Sequence, residues 1–339
     1  MHMADALLSP GVGGGMYAAS AVAIAYSVTK LKKEDPGESK IPLMAVSGAM
    51  VFAAQMINIT IPGTGSSGHI GGGILLAALL GPFAGLLAIA AVLVIQCLFF
   101  ADGGLLALGC NIFNLGVIPC LFVYPLLFKR VLSPSPTAKR IWIASVISVI
   151  VALQLGAFGV VLQTTASGVI ALPFSAFALL MQPIHLAIGV LEGIITAAIL
   201  SFVFAARPQI LTSAAYAEKN TVKSAKLVII VFACIAIITG AVLSLFASPN
   251  PDGLEWSIEK LTGSTELHAS GPVFDAFAAV QERLSFMPDY DFAPVAGIIG
   301  AAIVFAAASV AGLLIYAVKK KRKHNRDGSF CVNKESKEP

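Results

Sequence analysis

The stretch Ile70–Leu80, IGGGILLAALL, is apolar but short, and whether it crosses a membrane decides the architecture of the chain. A helix that spans a bilayer needs about 20 apolar residues. Longer apolar stretches run roughly over 11–29, 41–59, 83–101, 105–128, 141–163, 177–205, 227–247 and 293–318. They belong to a chain of 339 residues that is 57% hydrophobic and only 12% charged, with a mean hydropathy of +0.87. Such a composition excludes an ordinary soluble domain and describes a polytopic membrane protein.

The basic residues resolve Ile70–Leu80, because Lys and Arg collect in cytoplasmic loops. All but Lys260 and Arg283 of the 22 fall in four clusters: Lys30 to Lys40, Lys129 to Arg140, Arg207 to Lys226, and a tail from Lys319 to Lys337. If the first cluster is inside, the amino terminus and the 60–69 loop are outside. The 129–140 cluster is then inside only if an odd number of crossings separates it from that loop. Segments 83–101 and 105–128 make two, so 70–81 is expected to be a third, short crossing whose glycines pack it against protein rather than lipid.

The predicted fold is therefore all-α integral membrane, in the cell membrane, with the amino terminus outside and the carboxyl terminus cytoplasmic. A seven-helix bundle over 1–206 is followed by a cytoplasmic linker over 207–226. A two-helix hairpin over 227–318 and a basic cytoplasmic tail over 319–339 complete the chain. The hairpin's loop, 248–292, is expected outside; it holds Asp252, Glu255, Glu259, Glu266, Asp275, Glu282, Asp289 and Asp291 against only Lys260 and Arg283. Its Pro251-Asp252-Gly253 is a turn signal, expected to be an ordinary solvated turn. Cys97, Cys110, Cys120, Cys234 and Cys331 show no CxxC spacing, and the first four lie in apolar spans as small hydrophobes.

Chemistry begins at Met1-His2-Met3. An α-amine followed by histidine closes a five-membered chelate ring through the amine and the His2 amide, and a six-membered ring through that amide and His2 Nδ1. Planar nitrogen donation of this kind suits Ni(II) or Cu(II) and tolerates Co(II). The bulk of His2 keeps Met1 in place, so the amine is expected on Met1, with a pKa of about 8 that a metal can displace near neutrality. A histidine at position two is usually an accident, so support from elsewhere is needed.

Polar groups inside a membrane are costly, about 2.5 to 3.5 kcal/mol for a central charge on insertion scales, and mark function. Asp102, Glu192 and His69 stand out, with Asp5 beside the terminus. His69 closes the run GTGSSGHIGGG on the same side as Met1. Backbone that rich in glycine survives at membrane depth only where it lines a cavity or protein interior; a flexible loop with an incidental histidine is the alternative. No Lys-Ser or Lys-Thr follows the glycines, so the run is not a phosphate cradle. Asp5, Asn58, Ser67, Asn111 and Asn114 are candidates to orient ligating imidazoles, although Asn111 and Asn114 could equally tie neighbouring helices together. Asp102 could act on the metal path or cap a helix. His185 and Glu192 are two helical turns apart and could form a second polar layer.

Several motifs in order resemble one family: Met1-His2 with Asp5, FAAQMIN (52–58), SSGHIGGG (66–73), LLGP (79–82), FFADGGLLALGCNIFNLG (99–116) and HLAIGVLEGIITA (185–197). Together they look like the cobalt/nickel substrate-binding permease, or S component, of energy-coupling factor transporters, over about residues 1–205. The hairpin, with Pro251-Asp252-Gly253-Leu254-Glu255, resembles that system's small accessory component, fused in one chain. The resemblance implies a metal held by the Met1 amine, the His2 backbone nitrogen, a His2 ring nitrogen and a His69 ring nitrogen. It implies Ni(II) or Co(II) as transported substrate, a role tied to cobalamin or nickel-enzyme supply, and no catalytic activity in this chain.

No GxxxxGK[ST] motif occurs, so the chain is not expected to bind nucleotide. The resemblance implies two partners, a transmembrane coupling (T) component and cytoplasmic ATPase subunits, and no nucleic acid. Gly72, Gly73, Ala77, Ala78, Gly81 and Gly85 are expected to offer a smooth face to such a partner. A gradient-driven divalent metal permease acting alone, with Asp102, His185 and Glu192 as a relay, is the alternative. An intramembrane metalloprotease is disfavoured by the lack of HExxH.

Overall fold

The computed structural model describes residues 2–33, 40–132, 136–216, 225–265 and 267–335, and they form a multi-pass helical membrane protein. The helices are α1 (Pro10–Lys33), α2 (Lys40–Gln55), α3 (Gly73–Leu80), α4 (Pro82–Phe100), α5 (Leu108–Leu132), α6 (Ala138–Ser167), α7 (Phe174–Ala206), α8 (Pro208–Tyr216), α9 (Lys226–Ala241), α10 (Gly253–Thr262), α11 (Pro272–Leu284) and α12 (Ala293–Glu335). Among the described residues, α1, α4, α5, α6, α7 and the Ala293–Val318 part of α12 are long and apolar enough to cross a bilayer. Two shorter apolar helices, Ile41–Gln55 and Lys226–Ala241, join them. Large apolar side chains such as Leu155, Phe158, Leu179 and Ile194 are exposed on α6 and α7, as expected where lipid rather than water is the solvent.

The Ile70–Leu80 stretch divides into a three-residue loop and the eight-residue α3, every residue of which is buried. At 1.5 Å per residue α3 is about 12 Å long, well short of a hydrocarbon core. Gly81, at φ 87°, ends it, and Pro82 starts α4 at once, where a missing N–H is harmless. The small residues expected to form a free face are instead consumed internally. A Cβ on Gly85 would strike the Ala77 backbone, one on Gly73 the Leu115 carbonyl and Pro119, and one on Gly72 the side chain of Val51. Ala77 and Ala78 are likewise buried. That surface is not available to a partner, because a helix this short is held only by close backbone packing on α2, α4 and α5.

Two further differences from the sequence reading concern non-helical backbone. The apolar stretch expected to run to residue 59 stops as a helix at Gln55. Ile59–Ile61 (β1) then pairs antiparallel with Ser66–Gly68 (β2), Thr60 opposite Ser67. Gly63 and Gly65, both at positive φ, supply the connection. The 248–292 segment is also far from an open loop, since it contains α10 and α11. Asp252 is the N-cap of α10 and forms a capping box with Glu255, the reciprocal pairing that satisfies two helix-start N–H groups.

The α9/α12 hairpin packs on α2. Gly240 and Gly297 bring α9 and α12 into backbone contact, and Gly300 and Gly312 let α12 lie against Phe52 and Ile41. Such small-residue crossings let transmembrane backbones approach closely. The crossing of α6 and α7 uses the same device, with Gly189 and Gly193 of α7 set against Ile150 and Val146.

Candidate metal centre

The terminal segment reaches the site because residues 2–8 are tied to the α4–α5 connection and to α5. The Asn111 amide holds Met3 from both sides: Met3 N donates to Asn111 Oδ1 at 2.8 Å, and Asn111 Nδ2 donates to the Met3 carbonyl at 3.3 Å. Gly104 N donates to the same carbonyl at 2.8 Å. Asp5 accepts from Ala107 N at 2.9 Å; burial raises its pKa and these backbone N–H groups act against that rise. A Cβ on Gly104 would collide with Asp5, so only glycine admits this arrangement. Asn114 pairs with Gln163 through two hydrogen bonds, 2.8 and 3.0 Å, and supports the buried Met3 side chain from below.

A different support carries His69. Glu192 of α7 accepts from Gly71 N and Gly72 N, one carboxylate oxygen each, both at 2.8 Å. Gln55 Nε2 donates to the Gly71 carbonyl at 2.8 Å from the opposite side. The loop following His69 is thereby fixed by two buried side chains, with Gly72 at φ 77° making the turn into α3. His69 Nδ1 lies 3.0 Å from the Ile70 carbonyl. A carbonyl only accepts, so Nδ1 carries the hydrogen and Nε2 the lone pair, the arrangement that fixes the tautomer of a ligating histidine.

The two segments bring His2 and His69 together, their rings nearly parallel at 9° with centroids 5.1 Å apart. An ion bound through ring nitrogens at about 2 Å lies about 3 Å from each ring centre, so two imidazoles sharing one ion have centres about 4 to 6 Å apart. The observed spacing falls in that range. His2 Nδ1 faces Asp102 Oδ1 at 2.9 Å, with the ring 6% exposed, while Nε2 is buried and has no hydrogen-bond partner among the described residues. Burial alone would raise the Asp102 pKa; the His2 charge and the hydrogen bonds from His2 and Tyr290 outweigh it and hold the carboxyl well below the usual range. Burial, aided by nearby positive charge including His2, pushes the His69 imidazole down to about 3, so it stays neutral and able to ligate.

Both rings line a cavity of about 580 Å³. The 248–292 segment lines the same cavity, including Asp252, Glu255, Asp275, Gln281, Asp289 and Tyr290. Contrary to the solvated turn expected from sequence, Pro251–Asp252 docks on β2. Ser67 N donates to the Pro251 carbonyl at 2.8 Å, Ser67 Oγ to the Asn250 carbonyl at 2.7 Å, and Trp256 Nε1 to the Thr64 carbonyl at 3.0 Å. Gly253 fits against Ile188 and His185 of α7. A second contact runs through residues 281–290. Gln281 Nε2 donates to the Cys97 and Gly103 carbonyls, at 2.9 and 2.8 Å, and Tyr290 Oη to Asp102 Oδ2 at 2.5 Å. Asp289, Tyr290 and Phe292 all take positive φ, 51°, 57° and 55°, a conformation that costs about 1 to 3 kcal/mol per residue.

Of the residues expected to matter, His2, His69 and Asp102 meet directly. Asn58 lines the cavity with its Oδ1 buried and unpartnered. Asp5, Asn111 and Asn114 hold the terminal segment instead of an imidazole, and Ser67 binds the 250–251 carbonyls. Met1, expected to supply the amine, lies outside the described residues. Among the described residues no group of three or more His, Cys, Asp or Glu is spaced to hold a metal ion. Sequence reasoning missed Gln55, Gln281 and Tyr290, and gave Glu192 no part in holding the His69 loop; FAAQMIN contains Gln55, but its partner is a backbone carbonyl that no pattern announces.

Two facing, largely enclosed imidazoles lining a cavity of a polytopic bundle are nitrogen donors of the kind transition metals take. Residues 2–210 match the cobalt uptake substrate-specific transmembrane region, CbiM, and the chain belongs to that family. Residues 226–317 match the PDGLE domain. A putative metal transport protein of Haloquadratum walsbyi is 38% identical over 216 residues, 62% of this chain and 93% of the relative. The putative fused nickel transport protein NikMN of Archaeoglobus fulgidus is 37% identical over 218 residues, 62% of this chain and 68% of the relative. The cobalt transport protein CbiM of Sorangium cellulosum is 30% identical over 217 residues, 62% of this chain and 94% of the relative. A crystal structure titled as a transition metal transporter superposes with a TM-score of 0.55 at 26% identity, covering 65% of this chain and all of that one.

Proposed function

We propose that this chain is the substrate-specific subunit of a nickel or cobalt importer, capturing Ni(II) or Co(II) on the outer side of the membrane. The donors are the Met1 amine, the His2 amide nitrogen, His2 Nδ1 and His69 Nε2. Four nitrogens in a plane select against Mg and Ca, which prefer oxygen and more ligands, and against Zn, which prefers a tetrahedron. The observation that carries the reading is the meeting of His2 and His69, 67 positions apart in the chain, at the lining of one cavity. Chelation through His2 Nδ1 requires the ring to make a half-turn about Cβ–Cγ from its present pairing with Asp102. That turn puts Cδ2 in the place of Nδ1 and Nε2 in the place of Cε1 on the edge facing the carboxylate, so Asp102 then accepts from Nε2–H after a small shift of its side chain.

Seven crossings in the first module and two in the second complete the arrangement, with the amino terminus outside and α3 as the short third crossing. Energy comes from a transmembrane coupling subunit and cytoplasmic ATPases of the energy-coupling factor type. Relatives with the same fused architecture bear nickel names, which favours nickel as the cargo. The alternative of a permease working alone is weakened by Glu192, whose two carboxylate oxygens are occupied by backbone N–H groups.

Metal content of the purified chain after exposure to equal Ni(II) and Co(II) tests the proposal. One residue added before Met1, His2→Ala and His69→Ala are each expected to remove near-stoichiometric metal while leaving membrane insertion intact. Full retention by the extended chain would reject the amine as a ligand. Uptake into vesicles that lack any ATPase would instead revive the permease.

A further inference from the structure

The geometry points to Tyr290, on the PDGLE module, as a positioning residue for the His2 ligand: its hydroxyl fixes the Asp102 carboxylate, and that carboxylate fixes the His2 ring. The inference rests on the reading of His2 as a metal ligand given above.

Asp102 divides its two oxygens between the modules. Oδ2 accepts from Tyr290 Oη at 2.5 Å and Oδ1 faces His2 Nδ1 at 2.9 Å. The order phenol, carboxylate, imidazole has one consistent proton arrangement, because the phenol donates outward to the carboxylate and the ring donates to it from the other side. A carboxylate held at one oxygen cannot swing about its own Cβ–Cγ bond, so it presents the other oxygen in a fixed direction. In the metal-free ring the facing nitrogen, Nδ1, is then the protonated one and Nε2 carries the lone pair; with Nδ1 given to a metal, the same carboxylate would hold the ring through Nε2–H. This is the task that partners of ligating histidines perform.

Tyr290 reaches this position by construction. Its ring stacks on Phe100 at 5.0 Å and 18°, and meets Phe52 edge-on at 6.3 Å. Gln281 ties the start of the segment to Cys97 and Gly103, and Met287 N donates to the Phe99 carbonyl at 3.3 Å. The segment is thus laid along the end of α4 that bears Asp102. The run of positive φ at Asp289, Tyr290 and Phe292 is strain that packing alone does not require, and strained backbone of this kind collects where a side chain must be delivered to a site. The module therefore touches the metal centre at two separate points: Pro251 and Asn250 on the strand leading to His69, and Tyr290 behind His2.

Tyr290→Phe in the full chain removes the hydroxyl and keeps both ring contacts, so the fold is preserved. Partners of ligating histidines are worth about 10- to 100-fold in metal affinity. Asp102→Asn is expected to fall in that range for Ni(II), and Tyr290→Phe to cost roughly tenfold. Combined, the two substitutions are expected to cost no more than Asp102→Asn alone, because the hydroxyl acts only through the carboxylate. In the metal-free chain, the 15N shifts of the His2 ring are expected to change from one tautomer to a mixture in Tyr290→Phe, a readout that loss of general stability does not move. Unchanged His2 shifts would overturn the inference, as would a Tyr290→Phe loss that adds in full to that of Asp102→Asn. Failure of the terminal chelate itself would appear separately, as full metal retention by the chain extended before Met1, and would leave the metal-free shift measurement able to decide the role of Tyr290.

Discussion

The two segments that meet at the cavity are held by different means. The loop after His69 hangs on one fully buried carboxylate of another helix, Glu192, with Gln55 opposing it, whereas the terminal segment hangs on the Asn111 amide, the Gly104 N–H and its own partly buried Asp5 carboxylate. A buried carboxylate with two N–H donors is a high-stakes device, because loss of either side leaves groups in a region without water. An amide clasp on a chain end is weaker, and a chain end can refill by shifting. The difference teaches that His69 is the fixed half of the pair and His2 the adjustable half, the property that the proposed turn of the His2 ring would use.

Glu192→Ala is the sharpest way to break that contrast. It strands Gly71 N and Gly72 N in the interior, at about 1 to 3 kcal/mol each, so a total loss of about 3 kcal/mol or more is expected, together with loss of metal. Thermal unfolding in detergent and metal content are the measurements. Glu192→Gln, which keeps one acceptor oxygen, is expected to fall between. A Glu192→Ala chain that unfolds no earlier than the native one would remove the distinction between a fixed and an adjustable half.

Asn111→Leu tests the other half. The substitution keeps the volume and deletes both bonds to Met3, leaving Met3 N buried at a cost of about 1 to 3 kcal/mol. The expected outcome is a smaller shift in unfolding than for Glu192→Ala but a comparable loss of Ni(II) affinity, read by competition with a chromophoric chelator. Equal shifts in both quantities for the two variants would mean that the segments are equally rigid.

The sequence was explicit about the long apolar helices and about His2, His69 and Asp102, which the fold brings together, because each rests on a local signal: a long apolar run, a histidine beside an amine, a histidine or acid at a membrane boundary. It was silent where the partner is backbone. Glu192 stood out as a costly intramembrane acid, yet nothing in HLAIGVLEG says that its oxygens take the amides of Gly71 and Gly72. Tyr290 sits in a polar segment with no periodicity, and its approach to Asp102 depends on positive φ at non-glycine residues, which residue type disfavours. The glycines of 72–85 were recognised as packing surface but given the wrong neighbour, since small residues do not state whether they face another chain or their own. PDGLE likewise gave a turn but not what the turn would dock on.

Ser67→Ala carries the smallest expected effect and bears on how far the PDGLE module governs the fixed half. Ser67 Oγ donates to the Asn250 carbonyl at 2.7 Å, but Ser67 N also donates to Pro251 at 2.8 Å and survives the substitution. One neutral hydrogen bond is worth about 0.5 to 1.5 kcal/mol, so the expected loss of Ni(II) affinity is at most about tenfold. It should also be smaller than that of Asn111→Leu, because Glu192 and Gln55 still hold the loop when the module loosens. The decisive comparison is Ser67→Ala in the native and Glu192→Gln backgrounds. If the module merely covers a loop that Glu192 fixes, the hydroxyl matters little in the first and more in the second, where it becomes the remaining restraint. A loss in the native background that exceeds that of Asn111→Leu would reverse the ranking. The His69 loop would then owe its position to the docked PDGLE turn, and rigidity on that side would be a property of the two modules together.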